Sequence, residues 1–312
     1  MSGADSLISG PNHDGGAWSP VPIRVVATWP VGSFAENLTV RSDGTVCIGL
    51  YSHRRIDCHD PATGGTRRLA ELTAPPMGLA VAADDTLWVT GGQFPKGPGH
   101  VWRVAPDGLV GHWAHLPDAP FINGCTLHPD GRTLLACESL TGRILAVDLR
   151  EPGRWSAWLT DDILKSDVPQ IPGANGIKIK DGTALVTITA RRLVLRIPIA
   201  PDGAAGAVET VAERIRGDDF AIGSSGALYI ATHGQQTVMR LDPSGARATL
   251  AGPDEGAAGA TSCAFGRALG DATALYVTTT GGLLAPYQGV VQEAKLLRLE
   301  VGEKGWLTHA RA

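Results

Sequence analysis

Short stretches in which every second residue is hydrophobic recur along most of the chain. This two-residue alternation predicts half-buried β-strands, and no stretch shows the 3.6-residue apolar period of an amphipathic helix. The stretches are separated by clusters such as SDGT, PDGR and KDGT, whose residues adopt the backbone conformations that tight turns require. The pattern therefore predicts an all-β protein built from hairpins.

One strand–turn–strand motif occurs six times. The copies read ENLTVRSDGTVCIGLY from Glu36, MGLAVAADDTLWVTGG from Met77, NGCTLHPDGRTLLACES from Asn123, NGIKIKDGTALVTITA from Asn175, DDFAIGSSGALYIATHG from Asp218 and TSCAFG…ATALYVTTTGG from Thr261. Successive copies start about 40 to 50 residues apart, which is the length of a propeller blade. The repeat predicts a six-bladed β-propeller with four-stranded blades around a central channel.

The two ends of the repeat predict how the ring closes. Residues 22–29 (PIRVVATW) have no hairpin partner of their own, and the last copy ends early at KLLRLEV. We expect the N-terminal strand to complete the last blade, because closure removes exposed sheet edges. Residues 22–312 are then one propeller domain, and residues 1–21, rich in Gly, Ser and Pro, are expected to form a disordered tail.

Composition excludes several classes of function. The net charge is −4, the pI is about 6.1 and there is no Lys/Arg run, which argues against a nucleic-acid partner. The sequence has no long apolar stretch and no hydrophobic leader, and its five cysteines follow no zinc-type spacing. We expect a cytoplasmic protein with reduced thiols, a small-molecule substrate, no membrane partner and, by default, a monomeric state.

The repeat register predicts a metal site. The innermost strand of each blade lines the channel, so residues at one repeat position form a ring at one height. Four of the six residues that open the motif are strong oxygen donors, either carboxylates or amides: Glu36, Asn123, Asn175 and Asp218. Such a set suits one hard divalent cation, Ca²⁺ first and Mg²⁺, Mn²⁺ or Zn²⁺ as alternatives. The competing interpretation is that Asn and Asp merely form turns before the strands.

Further candidates lie where the second strand of each motif returns to the same mouth. His233 is a candidate catalytic residue at this place, since a histidine titrates near neutrality, although it could equally bond loop backbone. Asp218, which opens the fifth copy, is the other catalytic candidate, because its carboxylate could orient the attacking water. Glu138 could contact substrate or remain a solvated rim carboxylate. His112 and His115 are three apart in a strand, which predicts rings on opposite faces and argues against a metal pair. The glycine-flanked LLAPYQG segment is expected to cover the pocket.

Four segments resemble the SMP-30/gluconolactonase/LRE-like propellers: FAENLTVRSDGT, FINGCTLHPDG, GANGIKIKDG and GDDFAIGSSGALYIATHG. The resemblance extends over residues 22–301 and implies that Glu36, Asn123, Asn175 and Asp218 hold one divalent cation. The chain departs from the family at two positions. Phe121 stands where sugar lactonases have an arginine, and Asp219 follows the aspartate where relatives usually have glycine.

These departures predict an apolar pocket above a polar floor, with Met77, Phe121, Ile122, Glu138 and Thr261 contacting the substrate. The first functional hypothesis is a divalent-metal-dependent hydrolase that opens a small, rather apolar lactone or ester. The second is a cyclase or isomerase of a natural-product pathway, and the third is a propeller that binds a ligand or metal without catalysis. Loss of activity on chelation would distinguish the first from the others.

Overall fold

The computed structural model describes residues 16–306, apart from residues 96 and 169. Over this range the chain forms 25 strands in six sheets, together with three single-turn 3₁₀ helices (Tyr51–His53, Asp162–Leu164 and Pro253–Glu255). No helix in the same range is long and apolar enough to cross a membrane. The predicted six-bladed, all-β propeller is therefore confirmed.

Each blade is an antiparallel sheet whose first strand lies innermost. The chain begins with β1 (Ala17–Trp18) and β2 (Ile23–Trp29). Blade 1 contains β3 (Ala35–Val40), β4 (Val46–Leu50), β5 (Arg55–His59) and β6 (Thr66–Glu71). Blade 2 contains β7 (Pro76–Val81), β8 (Leu87–Gly92), β9 (Gly99–Val104) and β10 (Val110–Leu116). Blade 3 contains β11 (Ile122–Leu127), β12 (Thr133–Glu138), β13 (Arg143–Asp148) and β14 (Trp155–Thr160). Blade 4 contains β15 (Ala174–Lys180), β16 (Thr183–Ile188), β17 (Leu193–Pro198) and β18 (Glu209–Glu213). Blade 5 contains β19 (Phe220–Ile222), β20 (Leu228–Thr232), β21 (Thr237–Leu241) and β22 (Arg247–Ala251). Blade 6 contains β23 (Ala260–Phe265), β24 (Ala274–Thr279) and β25 (Ala294–Glu300).

The N-terminal strand closes the ring, as predicted. β2 pairs antiparallel with β25, from Ile23 opposite Leu299 to Trp29 opposite Ala294, and becomes the outermost strand of blade 6. The indole Nε1 of Trp29 also donates to Oδ2 of Asp57 in blade 1 at 2.9 Å. Strands from both ends of the chain therefore share one sheet.

Two residues of the segment assigned to a disordered tail lie in a short strand. The first fifteen residues of the predicted tail, 1–21, lie outside the described residues. Ala17 and Trp18, however, run parallel to β22, opposite Ala248 and Thr249, as a fifth strand of blade 5. An outer strand leaves unpaired N–H and C=O groups, and β1 satisfies part of that edge.

The hydrophobic core is divided among the blade interfaces. Six clusters of buried side chains lie between successive blades, such as Leu87 and Ile56 between blades 2 and 1, or Val194 and Phe220 between blades 4 and 5. The inner strands of neighbouring blades also contact one another around the whole ring. Packing between blades therefore holds the inner strands, which line the channel, in a common orientation.

A bulge in blade 2 overturns one expectation. The pairing of β10 with β9 skips Trp113, so that His112 lies opposite Trp102 and His115 lies opposite His100. The extra residue reverses the alternation, and the three imidazoles come to one face of the blade, with His100 Nδ1 3.0 Å from His112 Nε2. The prediction that His112 and His115 point to opposite faces is therefore wrong.

Candidate metal centre at the channel mouth

The six residues that open the repeat motif occupy bulges at one end of the inner strands. The strand pairing skips Glu36 in β3, Met77 in β7 and Thr261 in β23, and it skips the Asn-Gly pairs that start at Asn123 in β11 and Asn175 in β15. A bulge bends the strand and redirects the side chain of the unpaired residue. We call these six positions, including Asp218, the ring positions.

Blade 5 reaches the same arrangement just before its inner strand begins. The Asp218 N–H donates to the carbonyl of Ala231 at 2.8 Å, and the Ala231 N–H donates to the carbonyl of Asp219 at 3.0 Å. Two residues thus face one residue of β20. All four oxygen donors predicted for the metal, Glu36, Asn123, Asn175 and Asp218, are brought to the same mouth and are buried.

Hydrogen bonds orient both asparagine amides. The Thr189 hydroxyl donates to the carbonyl of Gly217 at 2.6 Å, so its oxygen accepts from Asn175 Nδ2 at 3.0 Å. In the same way the Ser139 hydroxyl donates to the carbonyl of Ala174 and accepts from Asn123 Nδ2 at 3.2 Å. Because the amide nitrogens are held by the channel wall, the Oδ1 atoms remain as the groups available to a ligand.

Burying the charged forms of Glu36 and Asp218 costs free energy unless a cation neutralises them. Burial and the charges of Asp218 and Asp219 raise the pKa of Glu36 well above its usual value. Burial and the charge of Asp219 raise the pKa of Asp218 to about 8, although a hydrogen bond from Asn175 opposes the shift. Within residues 16–306, no hydrogen-bond donor reaches Oε2 of Glu36. A buried acceptor of this kind calls for a cationic or hydrogen-bonding partner.

The chemistry of these donors fits a hard cation. Two carboxylates and two amide oxygens are ligand types that Ca²⁺ prefers, with water completing the shell. The described part of the chain contains no cluster of three or more His, Cys, Asp or Glu side chains placed to hold a metal. Glu36, Asn123, Asn175 and Asp218 together could hold such a cation, and they favour calcium over zinc because the set contains neither nitrogen nor sulfur ligands.

Beneath the ring, Asp219 joins four parts of the channel wall. Its Oδ1 accepts from Lys178 Nζ at 2.6 Å and from the Phe220 N–H at 2.8 Å. Its Oδ2 accepts from Asn37 Nδ2 and from the Ser262 hydroxyl, both at 2.9 Å. Asp219 thus ties blades 1, 4, 5 and 6 together directly below the candidate metal ligands.

Glycine is required beside the ring in blade 4. A Cβ atom on Gly176 would lie 2.5 Å from Asp219 Oδ1 and 2.8 Å from Asp219 Cα. We expect Gly176→Ala to destabilise the protein by about 1–3 kcal/mol, because the neighbouring backbone would have to move. Urea unfolding is the measurement. Gly111→Ala in β10 is the control, since its Cβ would meet only Arg103 O at 3.9 Å; equal effects of the two variants would contradict the close approach.

His233 lies beside Asp218, as the catalytic hypothesis requires. Its Nδ1 is 3.5 Å from Asp218 Oδ2, and its Nε2 is 3.3 Å from the Thr280 hydroxyl. Burial lowers the pKa of His233 to about 4. Burial therefore favours the neutral form of both groups, the imidazole of His233 and the carboxyl group of Asp218.

An aromatic rim surrounds this mouth. The rings of Phe94 and Phe121 have centroids 3.9 Å apart, and Phe34 lies 5.6 Å from Tyr51 and 5.4 Å from His233. Burial and the nearby charge of Glu36 raise the pKa of Tyr51, which places its phenol close to the oxygen donors. The repeat register did not identify Phe34 and Phe94 as rim residues. Phe34 was detectable, since it precedes Glu36 by two residues as Phe121 precedes Asn123.

The other predicted substrate contacts divide into two groups. Phe121 belongs to the rim, and Met77 is buried at the ring position of blade 2. Ile122, by contrast, packs in the core between blades 2 and 3, because adjacent residues of a strand point to opposite sides. The structure therefore does not place Ile122 where a ligand could reach it.

Glu138 and Thr261 bond to the framework instead of facing the pocket. The Glu138 carboxylate accepts from the backbone N–H groups of Phe121 and Thr141 and from the Thr141 hydroxyl, and the residue is fully buried. The Thr261 hydroxyl donates to the carbonyl of Ala35 at 2.7 Å. These contacts account for the two side chains without a substrate.

Two cavities lie near the channel. One of about 70 Å³ borders His233 and is lined on its far side by Leu284 and Ala285, which belong to the LLAPYQG segment. That segment therefore lies beside the candidate site. The other cavity, of about 90 Å³, lies at the opposite end of the inner strands between residues such as Val40, Lys178 and Arg267, and does not include the ring positions.

Solved structures share this architecture. No protein-family model and no curated protein matches the sequence. Regucalcin, a calcium-binding protein from Agrobacterium tumefaciens, is 20% identical and superposes with a TM-score of 0.73 over 95% of this chain and 99% of that chain. Luciferin-regenerating enzyme has a TM-score of 0.71 at 13% identity, over 94% of this chain and 100% of that chain. A protein named as a gluconolactonase has a TM-score of 0.67 at 15% identity, over 96% and 99%.

The chain thus has the fold of the SMP-30/gluconolactonase/LRE-like propellers. The resemblance noted in the sequence is confirmed at the level of the fold.

Proposed function

We propose that the protein is a divalent-metal-dependent hydrolase that opens a small, rather apolar lactone or ester, with calcium as the first candidate cation. The observation that carries the proposal is the aromatic rim beside a ring of oxygen donors in which Glu36 Oε2 lacks a hydrogen-bond donor among residues 16–306. The calcium-binding and gluconolactonase names of two structural neighbours support it.

The residues at the channel mouth divide into cation ligands, substrate contacts and a general base. Glu36, Asn123, Asn175 and Asp218 hold the cation, which when bound polarises the substrate carbonyl and stabilises negative charge on its oxygen. Phe94 and Phe121 contact the apolar part of the substrate. The neutral imidazole of His233, held between Asp218 and Thr280, accepts the proton of the attacking water.

A substrate and metal screen tests the proposal. Protein stripped with a chelator is assayed for proton release from alkyl and aryl lactones, simple esters and a sugar lactone, alone and with Ca²⁺, Mg²⁺, Mn²⁺ or Zn²⁺. We expect hydrolysis of the apolar lactones that disappears on chelation and returns with calcium or one of the other ions. Hydrolysis that survives complete metal removal would contradict metal dependence.

The second candidate is a cyclase or isomerase. It is favoured by the neutral Asp218–His233 pair, which can move a proton within a substrate that the aromatic rim shields from water. Mass spectrometry of the product separates the two reactions, because hydrolysis adds one water whereas cyclisation or isomerisation leaves the substrate mass unchanged. Binding of cation and lactone without either product would instead support a non-catalytic binding protein.

Phe121 is expected to determine the preference for apolar substrates. Replacing it by arginine puts a charge against the ring of Phe94. We expect kcat/KM for an alkyl lactone to fall about tenfold, the effect of losing roughly 1.4 kcal/mol of apolar contact. Phe121→Leu is the matched control and should retain most of the activity. If the arginine variant acted better on the alkyl lactone, the proposed selectivity would be wrong.

A further inference from the structure

We propose that Cys47 and Cys58 form a peroxide-sensitive dithiol that is oxidised to a cross-strand disulfide in blade 1. The two residues lie directly opposite each other in the antiparallel pair β4 and β5. Their sulfur atoms are 2.9 Å apart, joined by an S–H···S hydrogen bond. Side chains of directly opposite residues have Cβ atoms close to the separation that a disulfide requires.

The two thiols differ in access, which assigns their roles. Both residues are buried, Cys47 at 0% and Cys58 at 2% exposure, but of the two only Cys58 lines a surface cavity of about 320 Å³, together with Thr45, Thr66 and Arg67. A small oxidant entering this cavity meets the sulfur of Cys58 first. Cys58 is therefore the thiol that reacts, and Cys47 is the thiol that resolves the product.

A buried cation next to the pair favours the thiolate. The guanidinium of Arg41 is buried, and across the described residues no acceptor reaches its Nε or Nη2. Its positive charge acts on both sulfur atoms, and Arg67 also acts on Cys58. The hydrogen bond from Cys47, together with these charges, lowers the pKa of Cys58. An anionic sulfur at this position would give the Arg41 guanidinium a partner of opposite charge.

The reaction balances with hydrogen peroxide as the oxidant. The Cys58 thiolate attacks one peroxide oxygen, an S–O bond forms and the O–O bond breaks, so that Cys58 becomes a sulfenic acid and, with one proton, water leaves. The Cys47 sulfur then attacks the Cys58 sulfur, an S–S bond forms, the S–O bond breaks and a second water leaves. In total, two thiols and one peroxide yield one disulfide and two waters.

Peptide mapping of the folded protein tests the proposal. The full chain is treated with dilute hydrogen peroxide at neutral pH, unfolded in the presence of an alkylating agent and digested with trypsin. Cleavage after arginine separates Cys47, in residues 42–54, from Cys58, in residues 56–67. We expect these peptides to appear joined, about 2 Da lighter than their sum, and to separate on treatment with dithiothreitol. Cys125, Cys137 and Cys263 are buried like the pair, but burial raises the pKa of each of these three thiols, so they should remain alkylated and serve as internal controls.

Two variants sharpen the test. Cys58→Ser should slow peroxide consumption by at least about tenfold and leave Cys47 alkylated, because the accessible thiol is gone. Cys125→Ser should leave the joined peptides unchanged. The proposal is overturned if the folded wild-type protein keeps Cys47 and Cys58 alkylated, or if Cys125, Cys137 and Cys263 are oxidised as fast as they are.

Discussion

Replacing Asp218 by asparagine is expected to lower the affinity for calcium by about 100-fold or more, because one of only two anionic ligands is lost. The fold should survive, since the shape of the side chain is nearly unchanged and Asn175 Nδ2 can still donate to its oxygen. Burial favours the protonated, neutral form of Asp218, which an asparagine resembles in charge and shape, so the calcium-free variant should be at least as stable as the wild type. Calorimetric titration with calcium measures the affinity.

Thermal unfolding provides a second measurement of the same variant. Calcium should raise the unfolding midpoint of the wild type but hardly change that of Asp218→Asn, because a ligand stabilises the folded state only as far as it binds. Asp107→Asn, in the exposed turn between β9 and β10, is the control and should bind calcium normally. Equal calcium affinity in the wild type and Asp218→Asn would refute the metal site and the hydrolytic mechanism that depends on it.

The second large effect is expected at Lys178. Replacing it by methionine should destabilise the protein by about 3–5 kcal/mol, because the buried carboxylate of Asp219 loses its cationic partner. Urea unfolding should show a lower midpoint with an unchanged slope. The double variant Lys178→Met with Asp219→Asn should lose less stability than Lys178→Met alone, since no buried charge is then left unpaired.

Lys165→Met is the matched control for Lys178→Met. Lys165 Nζ lies 2.6 Å from Asp162 Oδ1, the same separation as between Lys178 and Asp219, but the two side chains are 45% and 86% exposed. Exposed pairs contribute little, so the change should stay below about 1 kcal/mol. Similar losses in the two lysine variants would show that the Asp219 network does not depend on its buried ion pair.

Repetition made the fold and the ring positions predictable. Six copies of one motif define equivalent positions even where the residues differ, so Glu36 and Asp218 could be aligned without knowledge of any contact. Ring closure could be predicted because residues 22–29 form a strand without a partner near the N-terminus and the last blade is one strand short. These inferences use only the order of strands, which alternation of polar and apolar residues reveals.

What escaped prediction depends on local departures from regular strands. The bulge at Trp113 reverses the direction of the following side chains, and alternation alone does not show where such a residue is inserted. Phe94 lies in a loop with no counterpart in the other copies, so no alignment could place it in the rim. Ile122 was placed by its closeness to Asn123 in sequence, although neighbours in a strand face opposite ways.

The bulges at the ring positions also determine how this mouth can change during evolution. A residue that the strand pairing skips has no partner opposite it, so its replacement leaves the pairing on both sides intact. Met77 occupies such a position in blade 2 and carries no oxygen donor. A single codon change can therefore add or remove a ligand there, and related chains can acquire different cation preferences or lose the cation without rebuilding any blade.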